Sequence, residues 1–99
     1  MPYYIILGNW TDEGIRSVRD LPKRLAAARA AVEKAGGIWH GMYFTFGQYD
    51  MVIIAEAPND ELVMSVALAI GSQGAARTTT LKAFSESEAA KIIEKLPAK

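Results

Sequence analysis

The chain has 99 residues and a mass of 10.8 kDa, enough for one hydrophobic core and too little for two. Eleven Lys and Arg balance eleven Asp and Glu, and 51% of residues are apolar against 22% charged; this is a globular composition, and a neutral one without the basic excess of a nucleic-acid binder. With no cysteine and a single histidine, His40, the chain has no thiol nucleophile, no disulfide, no Cys/His zinc site and no histidine-pair metal motif.

Residues 3–10 (Tyr-Tyr-Ile-Ile-Leu-Gly-Asn-Trp) are aromatic and β-branched and predict a strand. Residues 11–19 are polar, with Gly14 among them, and read as a loop with room for one short helical turn. Asp20 then offers a capping carboxylate, and Pro22 falls in a first helical turn, where its missing N–H costs nothing. Leu21, Leu25, Ala28, Val32 and Ala35 recur on one helical stripe that Gly36-Gly37 terminates. Residues 38–46 and 51–57 predict two strands joined by a tight turn, Gly47-Gln48-Tyr49-Asp50. Asn59 caps a second helix, with Asp60 and Glu61 at the positive end of its dipole; this helix runs to about Ser72 and stops at Gly74. Residues 75–84 give a fourth strand. Ser85-Glu86-Ser87-Glu88 is a capping box that opens a last helix through Ile92, Ile93 and Leu96, halted by Pro97.

The order βαββαβ plus a terminal helix predicts a single α+β domain over residues 1–99, ferredoxin-like, with helices on one face of a four-stranded antiparallel sheet. Such a sheet should alternate apolar with polar residues. The third strand does not: Met51, Ile53 and Ala55 lie on one side and Val52 and Ile54 on the other. Both faces are therefore expected to be buried, and the second cover is expected to be another copy of the chain. Residues 62–70 contain one polar residue, Ser65, and a helix apolar all round is buried all round. With Leu62 and Val66 facing the sheet, Met64 and Leu68 need cover from the terminal helix or from a further subunit, so assembly beyond the dimer is expected.

Several segments together resemble the GYD-domain family over nearly the whole chain. They are Leu7-Gly8-Asn9-Trp10-Thr11-Asp12-Glu13-Gly14-Ile15-Arg16, Pro22-Lys23-Arg24, Gly47-Gln48-Tyr49-Asp50-Met51-Val52, Glu56-Ala57-Pro58-Asn59-Asp60 and Arg77-Thr78-Thr79-Thr80. The resemblance implies a dimeric α/β barrel, in which two ferredoxin-like sheets pack face to face. It carries over no catalytic residue. The wider superfamily includes small monooxygenases, haem-handling enzymes, isomerases and amino-acid-sensing domains, so the fold narrows the chemistry little.

Candidate functional residues are few. His40 is the sole imidazole, and any histidine base or haem ligand must be this residue; otherwise it is a sheet-edge or core-bonded histidine. Strict alternation places Trp39, Tyr43 and Thr45 opposite His40, Met42, Phe44 and Phe46, so that His40 and Tyr43 share a face only if a bulge intervenes. Asp50 is either a carboxylate base near a barrel mouth or the residue whose carboxylate takes turn N–H groups and fixes the hairpin. Candidate catalytic residues are thus His40, Tyr43 and Asp50. Candidate ligand-binding residues are Asn9, Trp10, Tyr49, Thr78 and Thr80, an aromatic and polar set suited to a cavity wall.

Gly71-Ser72-Gln73-Gly74 is no nucleophile elbow, and it lies at a helix C-terminus, where carbonyls repel phosphate. In Thr11-Asp12-Glu13-Gly14 two acids do the same. Between residues 16 and 34 six cations face Asp20 and Glu33, while residues 50–61 hold four acids and no cation. This asymmetry suits solvated helix faces or complementary subunit contacts, with an anionic ligand as the sharper alternative.

The expected function is a homo-oligomer that binds a small molecule in a pocket between packed sheets. A small cofactor-independent or haem-assisted enzyme of monooxygenase or isomerase type is the alternative, and an assembly protein without a ligand is the second; whether the chain is an enzyme stays open. The sequence implies no cofactor and no metal. The expected partner is the chain itself, with a small-molecule ligand and without nucleic acid or membrane. No basic segment opens the sequence and no apolar run reaches about 18 residues, so no signal peptide or membrane span is expected, and the absence of cysteine fits the cytoplasm.

Overall fold

The computed structural model describes residues 1–98. Its elements are β1 (Tyr3–Trp10), α1 (Asp12–Arg16), a 3₁₀ turn (Val18–Asp20), α2 (Leu21–Lys34), β2 (Ile38–Phe44), β3 (Met51–Glu56), α3 (Asp60–Ser72), β4 (Ala76–Ala83) and α4 (Glu86–Glu94). The four strands form one sheet in the order β2-β3-β1-β4, every pairing antiparallel. This is the ferredoxin-like α+β arrangement that the element order predicts. Among the described residues no helix is long and apolar enough to cross a membrane.

The residues expected to open α3 and α4 do so. Asn59 accepts from the Leu62 N–H at 2.9 Å, and Ser85 and Glu88 form the reciprocal capping box. Asp20 does not cap α2. Residues 18–20 are already wound as a 3₁₀ turn that runs straight into the helix, so Asp20 is helical (φ −84°, ψ −4°) and its side chain makes no cap hydrogen bond. The polar stretch before it holds a genuine short helix, α1, capped by Thr11. Here Gly14 is required by contact, because a Cβ at this position would lie 1.7 Å from the Ala75 carbonyl oxygen. The second strand ends at Phe44, two residues earlier than expected, because Thr45 N–H already donates to the Asp50 carbonyl (2.9 Å) and closes the loop. Gly47 at φ +96° reverses the chain inside that loop, a conformation that favours glycine.

Tyr4, Ile6, Met51, Ile53 and Ala55 point at α2 and α3 and are buried with Val32 and Val63, and no polar side chain is buried among the described residues. The alternate residues Tyr3, Ile5, Leu7, Val52, Ile54 and Leu81 face away from the helices and form a broad apolar surface. Among the described residues no element covers it.

Strict alternation fails in β2. Register slips between Trp39 and Gly41, so that Trp39 pairs with Ala55 and Met42 with Ile53, both on the helix side. The slip is a β-bulge at His40. It corrects the expected parity: Trp39 and Met42 share the helix face, and His40 and Tyr43 share the uncovered face.

α4 makes almost no contact with the rest of the chain, so it does not cover Met64 and Leu68, which are 61% and 65% exposed. The radius of gyration is 15.4 Å, against about 13 Å for a compact chain of this length. The accessible surface is 7013 Å², where a compact monomer of this mass exposes about 5,500 Å².

Candidate functional site

Two regions carry the chemistry, one on each face of the sheet. On the uncovered face the His40 bulge brings the imidazole to Glu56 at the end of β3, with Nε2 to Oε2 at 2.7 Å. The Tyr3 ring stacks on His40, with centroids 5.6 Å apart and planes 14° from parallel. Tyr43 lies on the same face, paired with Val52. The result is a polar island at one end of an apolar sheet face. Glu56 and Tyr3 escaped the sequence reading, although pairing the 38–46 and 51–57 strands about their turn would have set Glu56 near position 40.

The Gly47-Gln48-Tyr49-Asp50 loop closes the other end of the hairpin. Asp50 continues the ladder with its own backbone, donating N–H to the Gly8 carbonyl at 2.9 Å. Its carboxylate then accepts the Trp10 N–H at 2.9 Å. β3 has turned away at this point, and the side chain replaces the backbone acceptor that β1 has lost. The role is structural in kind, but the bond reaches across to β1 instead of to the N–H groups of the turn. Tyr49 is half-buried in the same loop, and its carbonyl accepts the Thr45 hydroxyl.

On the helix side, a cavity of about 270 Å³ lies between α2, α3 and the sheet. Trp10 and Thr78 line it, together with Ile6, Met51 and Ile53 from the sheet and a mixture of small and large apolar side chains from the helices. Of the residues expected to bind ligand, only these two come together here. Thr80 shares their side of β4 but lies beyond the cavity, and Asn9 is on the uncovered face opposite Arg77. Arg24, the one charged residue in the wall, could have been found from the i, i+3 and i+4 spacing that puts it beside Leu21, Leu25 and Ala28.

At the far end of β1 the buried Tyr4 donates its hydroxyl to Asp60, which also takes Lys82 at 3.1 Å. Burial first, and the Asp60 carboxylate second, push the Tyr4 phenol up to about 12. The Tyr4 hydroxyl first, and Lys82 next, hold the Asp60 carboxyl below its ordinary value. Among the described residues no three Asp, Glu, His or Cys side chains gather to hold a metal ion.

The fold and its surfaces describe a small ferredoxin-like α+β domain: one sheet face packed on helices around a cavity, and one apolar face left open. A family model described as the GYD domain matches residues 4–93, and the chain belongs to the GYD-domain family. A protein of Thermus thermophilus named glutamine synthetase and cystathionine beta-lyase binding protein is 31% identical over 85 residues, covering 85% of this chain and 90% of the relative.

Proposed function

We propose that the chain is a homo-oligomeric binding protein, self-associated through its uncovered sheet face and engaging other proteins through its outer surface. The observation that carries this reading is the apolar face of Tyr3, Ile5, Leu7, Val52, Ile54 and Leu81, left open by every described element. Burying such a face against an identical one is the common outcome for a two-layer domain. The surplus of accessible surface over a compact monomer supports the same reading. Two sheets meeting in this way make a dimeric α/β barrel. The Thermus relative's name speaks of binding two enzymes, and we extend the same kind of partner, an enzyme of amino-acid metabolism, to this chain. We place the activity in the cytoplasm, on the absence of cysteine.

The test is light scattering on the purified protein. The expected mass is at least twice 10.8 kDa, and Ile54→Lys, which puts a charge at the centre of the face, is expected to give a folded monomer. A wild-type protein that stays monomeric at micromolar concentration overturns the proposal. Immobilised glutamine synthetase and cystathionine β-lyase then test the partner class directly.

One observation favours a second reading, in which a small molecule sits between the paired sheets. The His40–Glu56 pair and Tyr43 are polar groups beside the apolar Tyr3, Ile5, Val52 and Ile54 of the same face, and pairing two copies would enclose them. Such a site would also serve acid–base chemistry through His40. Loss of a thermal shift in His40→Ala, for a compound that stabilises the wild type, is the result this reading expects.

A further inference from the structure

The cavity on the helix side is independent of the uncovered face, and its walls are specific. α2 presents Ala27, Ala28 and Ala31 toward α3, and α3 answers with Ser65 and Ala69. These small side chains leave space between the helices that the larger Leu21, Leu25, Leu62, Val66 and Ile70 border without filling, whereas a core is ordinarily filled to close packing. Ala27, Ala31, Ser65 and Ala69 are exposed, so the mouth opens to solvent between the helices. The volume of about 270 Å³ approaches twice the ~150 Å³ of an apolar cavity that holds benzene, and it matches an apolar body of about two fused rings.

The polar wall has one sign of charge. Arg24 lines the cavity, half-buried, and makes no ion pair among the described residues. No carboxylate shares the wall with it. A guanidinium is a planar fork of donors matched to a carboxylate, and withdrawal from water strengthens such a bond. Nothing in the remaining wall supplies a counter-charge, so the complementary ligand brings its own.

We propose that this cavity binds a small apolar monocarboxylate, its hydrocarbon body lying on the floor of Ile6, Met51 and Ile53 and its carboxylate on Arg24. Met51 makes that floor adaptable, since an unbranched thioether fits irregular apolar shapes. Trp10, one of the two tryptophans in the chain, forms part of the wall and reports occupancy.

The experiment titrates the full chain with naphthalene-2-carboxylate and with octanoate, using naphthalene-2-methanol as the uncharged counterpart. Trp10 fluorescence and the melting temperature are followed together. Binding of one or both carboxylates, at least tenfold tighter than the alcohol, is expected. Naphthoate alone would define a flat aromatic ligand, octanoate alone an aliphatic one, and either result upholds the proposal. Arg24→Gln is expected to remove the tenfold preference and leave the weak binding of the alcohol unchanged. Ala69→Leu, which fills the cavity with a good helix former, is expected to lower affinity at least tenfold without lowering the melting temperature; Ala28→Leu serves if that variant folds poorly. Absence of saturable binding by either carboxylate overturns the proposal, as does equal affinity of the wild type and Arg24→Gln.

Discussion

Asp50 shows how much one side chain can be asked to do at a strand end. Its carboxylate supplies the acceptor that β1 loses when the hairpin turns, and it thereby fixes the backbone of Trp10 at the cavity wall. A hydrogen bond to a charged group contributes roughly 1.5–3 kcal/mol, and for a half-buried residue the lower end applies. Asp50→Ala is therefore expected to lower the melting temperature by about 5–10 °C, and Asp50→Asn, which still offers an oxygen, by clearly less. A melting temperature for Asp50→Ala equal to wild type would free the carboxylate for a role in ligand binding. The Tyr4–Asp60 contact predicts two limbs of a pH profile. Asp60 sits below its ordinary value, so its contribution is complete above the usual carboxylate range and disappears as pH falls through the lowered value. Tyr4 is raised, so its contribution is complete below 10.0 and is lost as pH climbs toward about 12. In a spectrophotometric titration a last component, from Tyr4, is expected to ionise well above the ordinary tyrosine value, at about 12. Tyr4→Phe removes that last component and moves the carboxyl of Asp60 back up toward its ordinary value.

Among the elements, those with a local cause were legible. The Asn59 cap, the Ser85–Glu88 box and the Gly36-Gly37 stop are written in adjacent residues, and α2, α3 and α4 begin and end close to where these signals place them. The four-stranded antiparallel sheet followed from the order of the elements, which needs no side-chain detail, whereas the strand order β2-β3-β1-β4 came from the structure. What escaped was set by partners distant in sequence. The bulge at His40 depends on how β2 registers against β3, so alternation alone put His40 and Tyr43 on opposite faces, and the His40–Glu56 pair stayed hidden with it. The same holds for Asp50, whose partner Trp10 lies 40 residues away. Asp20 misled for a local reason: a capping residue must be extended, and the 3₁₀ turn had already coiled it. The cavity was invisible for a further reason. Alanine-rich helices read as ordinary helices, and only their packing over the sheet leaves space between them.

For the molecule as a whole, the apolar surface left over is the governing fact. Beyond the open sheet face, α3 turns Met64 and Leu68 outward, 61% and 65% exposed, and α4 stands away from both instead of lying over them. The terminal helix carries an apolar set of its own, with Ile92 and Ile93 exposed on an element that its capping box makes self-sufficient at the start. On the proposed reading, a neutral chain with this much uncovered hydrocarbon is expected to self-associate. Among the described residues no element reaches Met64 and Leu68, and we propose that another subunit or another protein covers them. The double substitution Met64→Lys and Leu68→Lys tests this. Exposed positions that pack on nothing tolerate substitution within about 0.5 kcal/mol, so the variant is expected to fold, to keep its melting temperature within about 4 °C of wild type, and to retain the pairing through the sheet face. Light scattering is expected to show wild-type species larger than the dimer collapsing to the dimer in the variant, or, where wild type is itself a dimer, capture by an immobilised enzyme partner is lost. An unfolded variant would mean that α4 folds back over α3 in solution, and the outer face of α3 would then be part of the chain's own core.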